Sequence, residues 1–146
     1  MIDVGAGRGA LIAPLLDIGA RVIAVESHPT RARYLRERFG RAIVVVQADA
    51  GDLWLPRRSF HVIANPPFAV TSALLRRLLQ PGSRLLTASI VVQEPAARRW
   101  ASIDAPGYRR WVRTFDARLG RSIPRRAFRP PPPVDARVLR IVRRTS

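Results

Sequence analysis

The sequence predicts an α/β fold, a doubly wound and mostly parallel sheet forming one domain over residues 1–146. Three observations predict it. Short apolar runs alternate along the chain with segments of helical apolar spacing, the pattern of strands joined by crossover helices. A glycine turn, Gly5-Ala6-Gly7-Arg8-Gly9, follows the first run and leads into the first helical segment. A length of 146 residues, 47% hydrophobic and 25% charged, supports one core. No apolar run reaches the length of a membrane span.

Met1-Ile2-Asp3-Val4 reads as the end of a strand. At most four residues precede the glycine turn, where a central strand runs about five or six; the expectation is that the first strand starts upstream. Ala10 to Ile18 is a helix stopped by Gly19, and Arg21 to Glu26 is the second strand. Ser27-His28-Pro29 caps a basic helix through Phe39, with Gly40 behind it. Ala42 to Gln47 and Phe60 to Ala64 are strands, Thr71 to Leu79 a helix, and Leu85 to Gln93 the fifth strand. A short basic helix follows around Ala96 to Trp100, then a polar link at Ser102 to Gly107. Trp111 to Leu119 reads as a strand, Pro130 to Pro133 as a stiff extended connector, and Val134 to Arg143 as the last strand.

All 26 basic residues are Arg, set against 10 acids for a net charge of +16. Residues 1–75 carry 9 Arg and 6 acids (+3), whereas residues 76–146 carry 17 Arg and 4 acids (+13). Codon bias in a GC-rich genome accounts for Arg in place of Lys. It does not account for the surplus, which points to a polyanionic partner such as nucleic acid. There are 0 cysteines, which excludes disulfides, thiolate zinc sites and cysteine nucleophiles, and with the last cytosine C5 methylation. No metal site is expected. No charged leader followed by an apolar stretch opens the chain, so a cytoplasmic, monomeric protein with no membrane partner is the expectation.

In an open α/β sheet, ligands sit outside the carboxyl ends of the strands near the reversal of strand order. Asp3-x-Gly5-x-Gly7-x-Gly9 falls there, its glycines allowing the backbone a tight turn close to a ligand. Glu26, at the end of the second strand, can accept both hydroxyls of a ribose. Asp49 in Ala48-Asp49-Ala50 ends the third strand and can accept from an adenine amino group, with small neighbours leaving space for the ring. The three strand ends point to a cofactor containing adenosine, either a nicotinamide dinucleotide or S-adenosylmethionine.

The fourth strand discriminates, because it ends in Asn65-Pro66-Pro67-Phe68. Proline has no N–H and holds the residue before it extended, so Pro66 and Pro67 fix the turn and leave carbonyl oxygens without competing donors. The Asn65 side-chain oxygen and the Pro66 carbonyl can accept both hydrogens of an exocyclic amine, while Phe68 stacks on its ring. Two acceptors favour a pyramidal adenine N6 whose lone pair points at a sulfonium methyl. No strong base is then required.

On these residues the chain resembles the Erm family of S-adenosylmethionine-dependent rRNA adenine N6-methyltransferases, which methylate large-subunit rRNA and give macrolide resistance. The resemblance also runs through Val92 to Trp100 and through Pro124-Arg125-Arg126-Ala127-Phe128-Arg129 to Asp135, and so covers nearly the whole chain. It implies a Rossmann-like methyltransferase fold whose last strand is antiparallel to the one before it. It implies that Asp3, Gly5, Gly7, Gly9, Glu26, Asp49, Ala50 and Asn65 serve the cofactor, the three glycines on its methionine side. Asn65, Pro66, Phe68 and Phe128 are implied at the acceptor base, with Phe128 sandwiching it against Phe68. The implied partner is ribosomal RNA in a single-stranded or irregular region, with arginine pairs such as Arg98-Arg99 and Arg125-Arg126 along its backbone. Set against the family pattern, the expectation is a form truncated at the N-terminus, where an aromatic and polar segment would precede the glycine turn, and without the small C-terminal helical domain of many members. The alternatives are a noncatalytic fragment that keeps an RNA-binding surface, or methyl transfer to adenine in another rRNA or in DNA.

Overall fold

In the computed structural model, which describes residues 1–145, seven strands make one sheet. They are β1 (Ile2–Val4), β2 (Val22–Val25), β3 (Ile43–Val46), β4 (Phe60–Ala64), β5 (Leu85–Gln93), β6 (Phe115–Ile123) and β7 (Ala136–Arg143). Their order is β3-β2-β1-β4-β5-β7-β6, with β1 to β5 parallel and β7 antiparallel to both β5 and β6. The chain winds outward from β1 through β2 to β3, then crosses back to β4. The reversal therefore lies between β1 and β4, where the carboxyl ends of neighbouring strands part and leave room for a ligand.

The central strands are apolar because both faces are covered. All three residues of β1 are buried, including Asp3. On one face, α1 (Ile12–Asp17) and α2 (Pro29–Phe39) pack Ile12, Leu15 and Leu35 against Val22, Ala24 and Ile43. On the other, α3 (Thr71–Leu78) buries Leu74, Leu75 and Leu78 against the larger cluster that includes Val62, Leu85 and Ile90. α4 (Glu94–Trp100) adds Ala97 and Trp100 to that cluster.

Local chemistry explains most boundaries. Pro14 sits in the first turn of α1, where its missing N–H removes no helical hydrogen bond. α2 starts at Pro29 and is capped by His28, whose Nδ1 accepts from the Thr30 N–H at 3.2 Å; Ser27 lies one residue outside the cap. The strand expected from Trp111 is displaced. Tyr108–Trp111 forms a helical turn, α5, and the strand begins at Phe115 and reaches Ile123. The buried Trp111 indole N–H donates to the Pro106 carbonyl at 3.1 Å, and its ring meets Tyr108 edge-on at 5.3 Å, so this stretch packs with helical spacing. Between β3 and β4 there is no α-helix, only a 3-10 turn at Ala50–Asp52. No helix of the described residues is long and apolar enough to cross a membrane.

Candidate active site at the sheet reversal

The ends of β1, β2 and β4 and the turns that follow them enclose a cavity of about 360 Å³. Its walls include Gly5 and Gly7 from the turn after β1, Glu26 immediately after β2, Asp49 and Ala50 after β3, and Asn65, Pro66 and Phe68 after β4. Phe128 closes one side from the loop between β6 and β7. The topology thus brings together residues up to 124 positions apart in sequence, counted from Val4 to Phe128.

Glu26 is buried, 4% exposed, and organises the floor. Its Oε2 accepts the Gly7 N–H at 2.8 Å and its Oε1 accepts the His28 N–H at 2.9 Å. Each carboxylate oxygen accepts about two hydrogen bonds, so one site on each remains for a diol. Arg31, in the first turns of α2, lines the cavity with Nη1 3.9 Å from Glu26 Oε1. Sequence reasoning missed Arg31; its signal was its position five residues after the end-of-strand glutamate, on the cap-proximal face of α2. It also missed Val70, which lines the cavity from the 3-10 turn after Pro67. Asp49 is exposed and caps nothing with its side chain, leaving its oxygens available.

The acceptor turn is fixed from two sides. Ala64 pairs in register with Val4, so Asn65 and Gly5 leave the sheet side by side. Gly5 has φ +73°, and a Cβ there would lie 3.0 Å from the Pro66 Cα. Only glycine permits that backbone and that approach. Pro66 is buried while Asn65 is exposed toward the cavity.

Two residues expected at the cofactor stand off the cavity wall. Gly9 has φ +86°, and a Cβ on it would fall 2.6 Å from Phe39 Cε2 and 3.1 Å from Leu35 Cδ2. Its hydrogen in place of a side chain serves close packing of the turn on α2. Asp3 is 1% exposed beneath the turn, and neither carboxylate oxygen has a hydrogen-bond partner. Burial, then the nearby Glu26 charge, push its pKa from the ordinary 3.8 up to about 6.

The aromatic pair also differs from a sandwich. Phe68 and Phe128 both line the cavity, but their ring centroids are 6.2 Å apart at an interplanar angle of 69°, an edge-to-face contact. A base between them needs two parallel faces about 7 Å apart, twice a van der Waals spacing, so one ring must turn. The Phe128 loop is anchored at both ends. Asp135 Oδ1 accepts the Arg125 N–H at 2.7 Å, and the Asp135 carbonyl accepts the Glu94 N–H at 2.9 Å. Glu94 Oε2 accepts from Arg137 Nε at 2.7 Å, and Arg137 Nη1 donates to the Gly120 carbonyl at 3.2 Å. The hydrogen bond from Arg137 Nε to Glu94, with the Arg137 and Arg98 charges, holds the Glu94 carboxyl below the usual glutamate range despite its partial burial.

A seven-stranded sheet in this order, with an acidic strand end and an Asn-Pro-Pro-Phe turn at its reversal, defines a Rossmann-like methyltransferase domain. The sequence pattern of the ribosomal RNA adenine dimethylase family matches residues 1–146, and the chain belongs to that family. It is 34% identical over 151 residues to a probable ribosomal RNA small subunit methyltransferase A of Pyrobaculum islandicum, covering 99% of this chain and 62% of that protein. It is 35% identical over 149 residues to an rRNA adenine N-6-methyltransferase of Corynebacterium diphtheriae, covering 100% of this chain and 58% of the other. The crystal structure of the 23S rRNA methyltransferase ErmE superposes with a TM-score of 0.87 at 28% identity, covering 99% of this chain and 61% of that one. The chain therefore spans about three fifths of the length of these relatives.

Proposed function

We propose that this chain binds S-adenosylmethionine and methylates N6 of an adenine in large-subunit rRNA, with macrolide-type resistance as the consequence. The observation that carries the reading is the Asn65-Pro66-Pro67-Phe68 turn, held against Gly5 at the rim of a cavity floored by Glu26. The cavity residues suit this cofactor. Glu26 puts a carboxylate on the cavity wall, and Asp3, buried behind that wall beneath the glycine turn with neither oxygen partnered, adds a second negative charge that favours a cationic ligand. When bound, S-adenosylmethionine supplies an electrophilic methyl on a positively charged sulfur.

The chain's own residues then do the positioning. Glu26 accepts the ribose hydroxyls on its two remaining acceptor sites, and Asp49 accepts from the adenine amino group. The target adenine leaves its stack at a cost of a few kcal/mol, least in an irregular single-stranded region. Asn65 Oδ1 and the Pro66 carbonyl hold its N6 hydrogens and orient the lone pair, while Phe68 and a rotated Phe128 hold its ring. Alignment of this kind contributes up to about 7–11 kcal/mol in favourable cases. The N6 proton departs to solvent after transfer. A monomeric protein in the cytoplasm is part of this reading.

The test is methyl transfer from S-adenosylmethionine to protein-depleted rRNA, with 23S and 16S molecules offered separately and the product mapped to adenine N6. Transfer to 23S supports the reading. Transfer confined to 16S moves the target to the small subunit, the substrate in the name of the Pyrobaculum relative. RNA binding without transfer makes the chain a noncatalytic RNA-binding piece.

A further inference from the structure

At the end of the sheet opposite Asn65, two adjoining cavities form one basic grooved surface. The first, of about 430 Å³, is lined by Arg84, Arg110 and Arg143 with Phe115. The second, of about 360 Å³, adds Arg76 and runs over Trp100 and Trp111. Leu79, Gln80, Pro81 and Arg110 line both, so the two lie side by side. Among the described residues, no aspartate or glutamate lines either cavity.

Arg143 is built into this wall. Its Nε donates to the Leu85 carbonyl at 2.8 Å, its Nη2 donates to the Ser83 carbonyl, and its Cζ lies 4.8 Å from the centre of the Phe115 ring. Among the described residues no carboxylate pairs with it. A guanidinium has five N–H donors, so three remain for a ligand. A partly buried guanidinium that is fixed in place and lacks a counter-charge is a preorganised anion site. Arg76, Arg84 and Arg110 are exposed beside it, and they extend the site along the groove.

We propose that this groove binds backbone phosphates of RNA, a second contact remote from the methyl-transfer cavity; the identification of RNA rests on the proposed function. Four arginines shared between two adjoining cavities fit a chain of phosphates better than a single ion, and all four lie in the half of the sequence with net charge +13. The nine residues of β5 separate the two ends of the sheet, a span of about 30 Å. B-form DNA rises by roughly 3.4 Å per residue of each strand and an A-form RNA stem by less, so an RNA must continue about ten base pairs or more beyond the target to reach both sites.

The test uses the full chain and two hairpins carrying the same target loop, with stems of about six and about twenty pairs. Wild-type protein binds the long hairpin more tightly. The double variant Arg84→Gln with Arg110→Gln binds the two equally, and its slope of log affinity against log salt on the long hairpin falls by about 1 per arginine. Equal binding of both hairpins by the wild type overturns the proposal, as does an unchanged slope in the variant. Saturable binding of inorganic phosphate that depends on Arg84 and Arg110, without any dependence on stem length, assigns the groove to free phosphate and also overturns it. Loss of methyl transfer with the length dependence intact defeats the proposed function and leaves the groove standing.

Discussion

Asp3 carries an energetic cost that the sequence does not display. A buried carboxyl with no partner and a pKa near 6 is harder to ionise in the folded chain than in the unfolded one. The folded state therefore binds more protons between about pH 4 and 6, and this group's contribution to stability falls as pH rises through that window. Asp3→Asn removes the cost, and the expected result is a variant more stable than wild type at pH 7, by up to roughly 3 kcal/mol, but not at pH 4. Denaturant unfolding at both pH values measures it. A cationic cofactor beside Asp3 favours the carboxylate, so its affinity should rise with pH through 6, with proton uptake by buffer detectable in calorimetry. Gly5 offers a second prediction at this scale. In Gly5→Ala the new methyl would press on Pro66 at 3.0 Å with φ at +73°, and methyl transfer should fall at least tenfold while the far end of the sheet keeps its hydrogen-exchange protection.

At the scale of elements, the loop bearing Phe128 depends on Glu94, which ties the start of α4 to β7 through Arg137. Glu94→Gln should lower stability by about 1.5–3 kcal/mol, the usual contribution of a hydrogen bond to a charged group, and raise KM for RNA more than it lowers kcat. Steady-state kinetics at saturating cofactor separate the two. Elements defined by their own patterning were legible in the sequence: β4 and β5 begin and end at Phe60, Ala64, Leu85 and Gln93 as their apolar runs predict. α5 was not, because Tyr108 and Trp111 are strand formers by composition and become helical through packing against each other and Pro106. In the site, the strand-end residues Glu26, Asp49 and Asn65 could be placed from order alone, since a parallel sheet puts every carboxyl end on one side. Gly9 could not, because its need for a hydrogen comes from Phe39, 30 residues away. The edge-on meeting of Phe68 and Phe128 depends on a tertiary contact between distant loops, for which sequence spacing holds no signal.

For the whole molecule, the candidate site lies at one end of the sheet and arginine-lined cavities at the other. Binding to RNA should weaken with salt, log affinity falling by roughly 0.7 for each single-stranded phosphate neutralised; a flat response would remove the polyanion from the account. The central claim concerns the reversal of strand order, where Glu26 and Asn65 serve one cavity in two separable roles. Calorimetric affinity for S-adenosylmethionine, measured with methyl transfer to protein-depleted 23S rRNA for wild type and Asn65→Ala, tests it most directly. The predicted result is that both proteins bind the cofactor within about threefold of each other, while transfer falls by about 100-fold or more in the variant, the scale of losing an oriented hydrogen-bond acceptor at the reacting group. Absence of cofactor binding in the wild type, or undiminished transfer by Asn65→Ala, would contradict it.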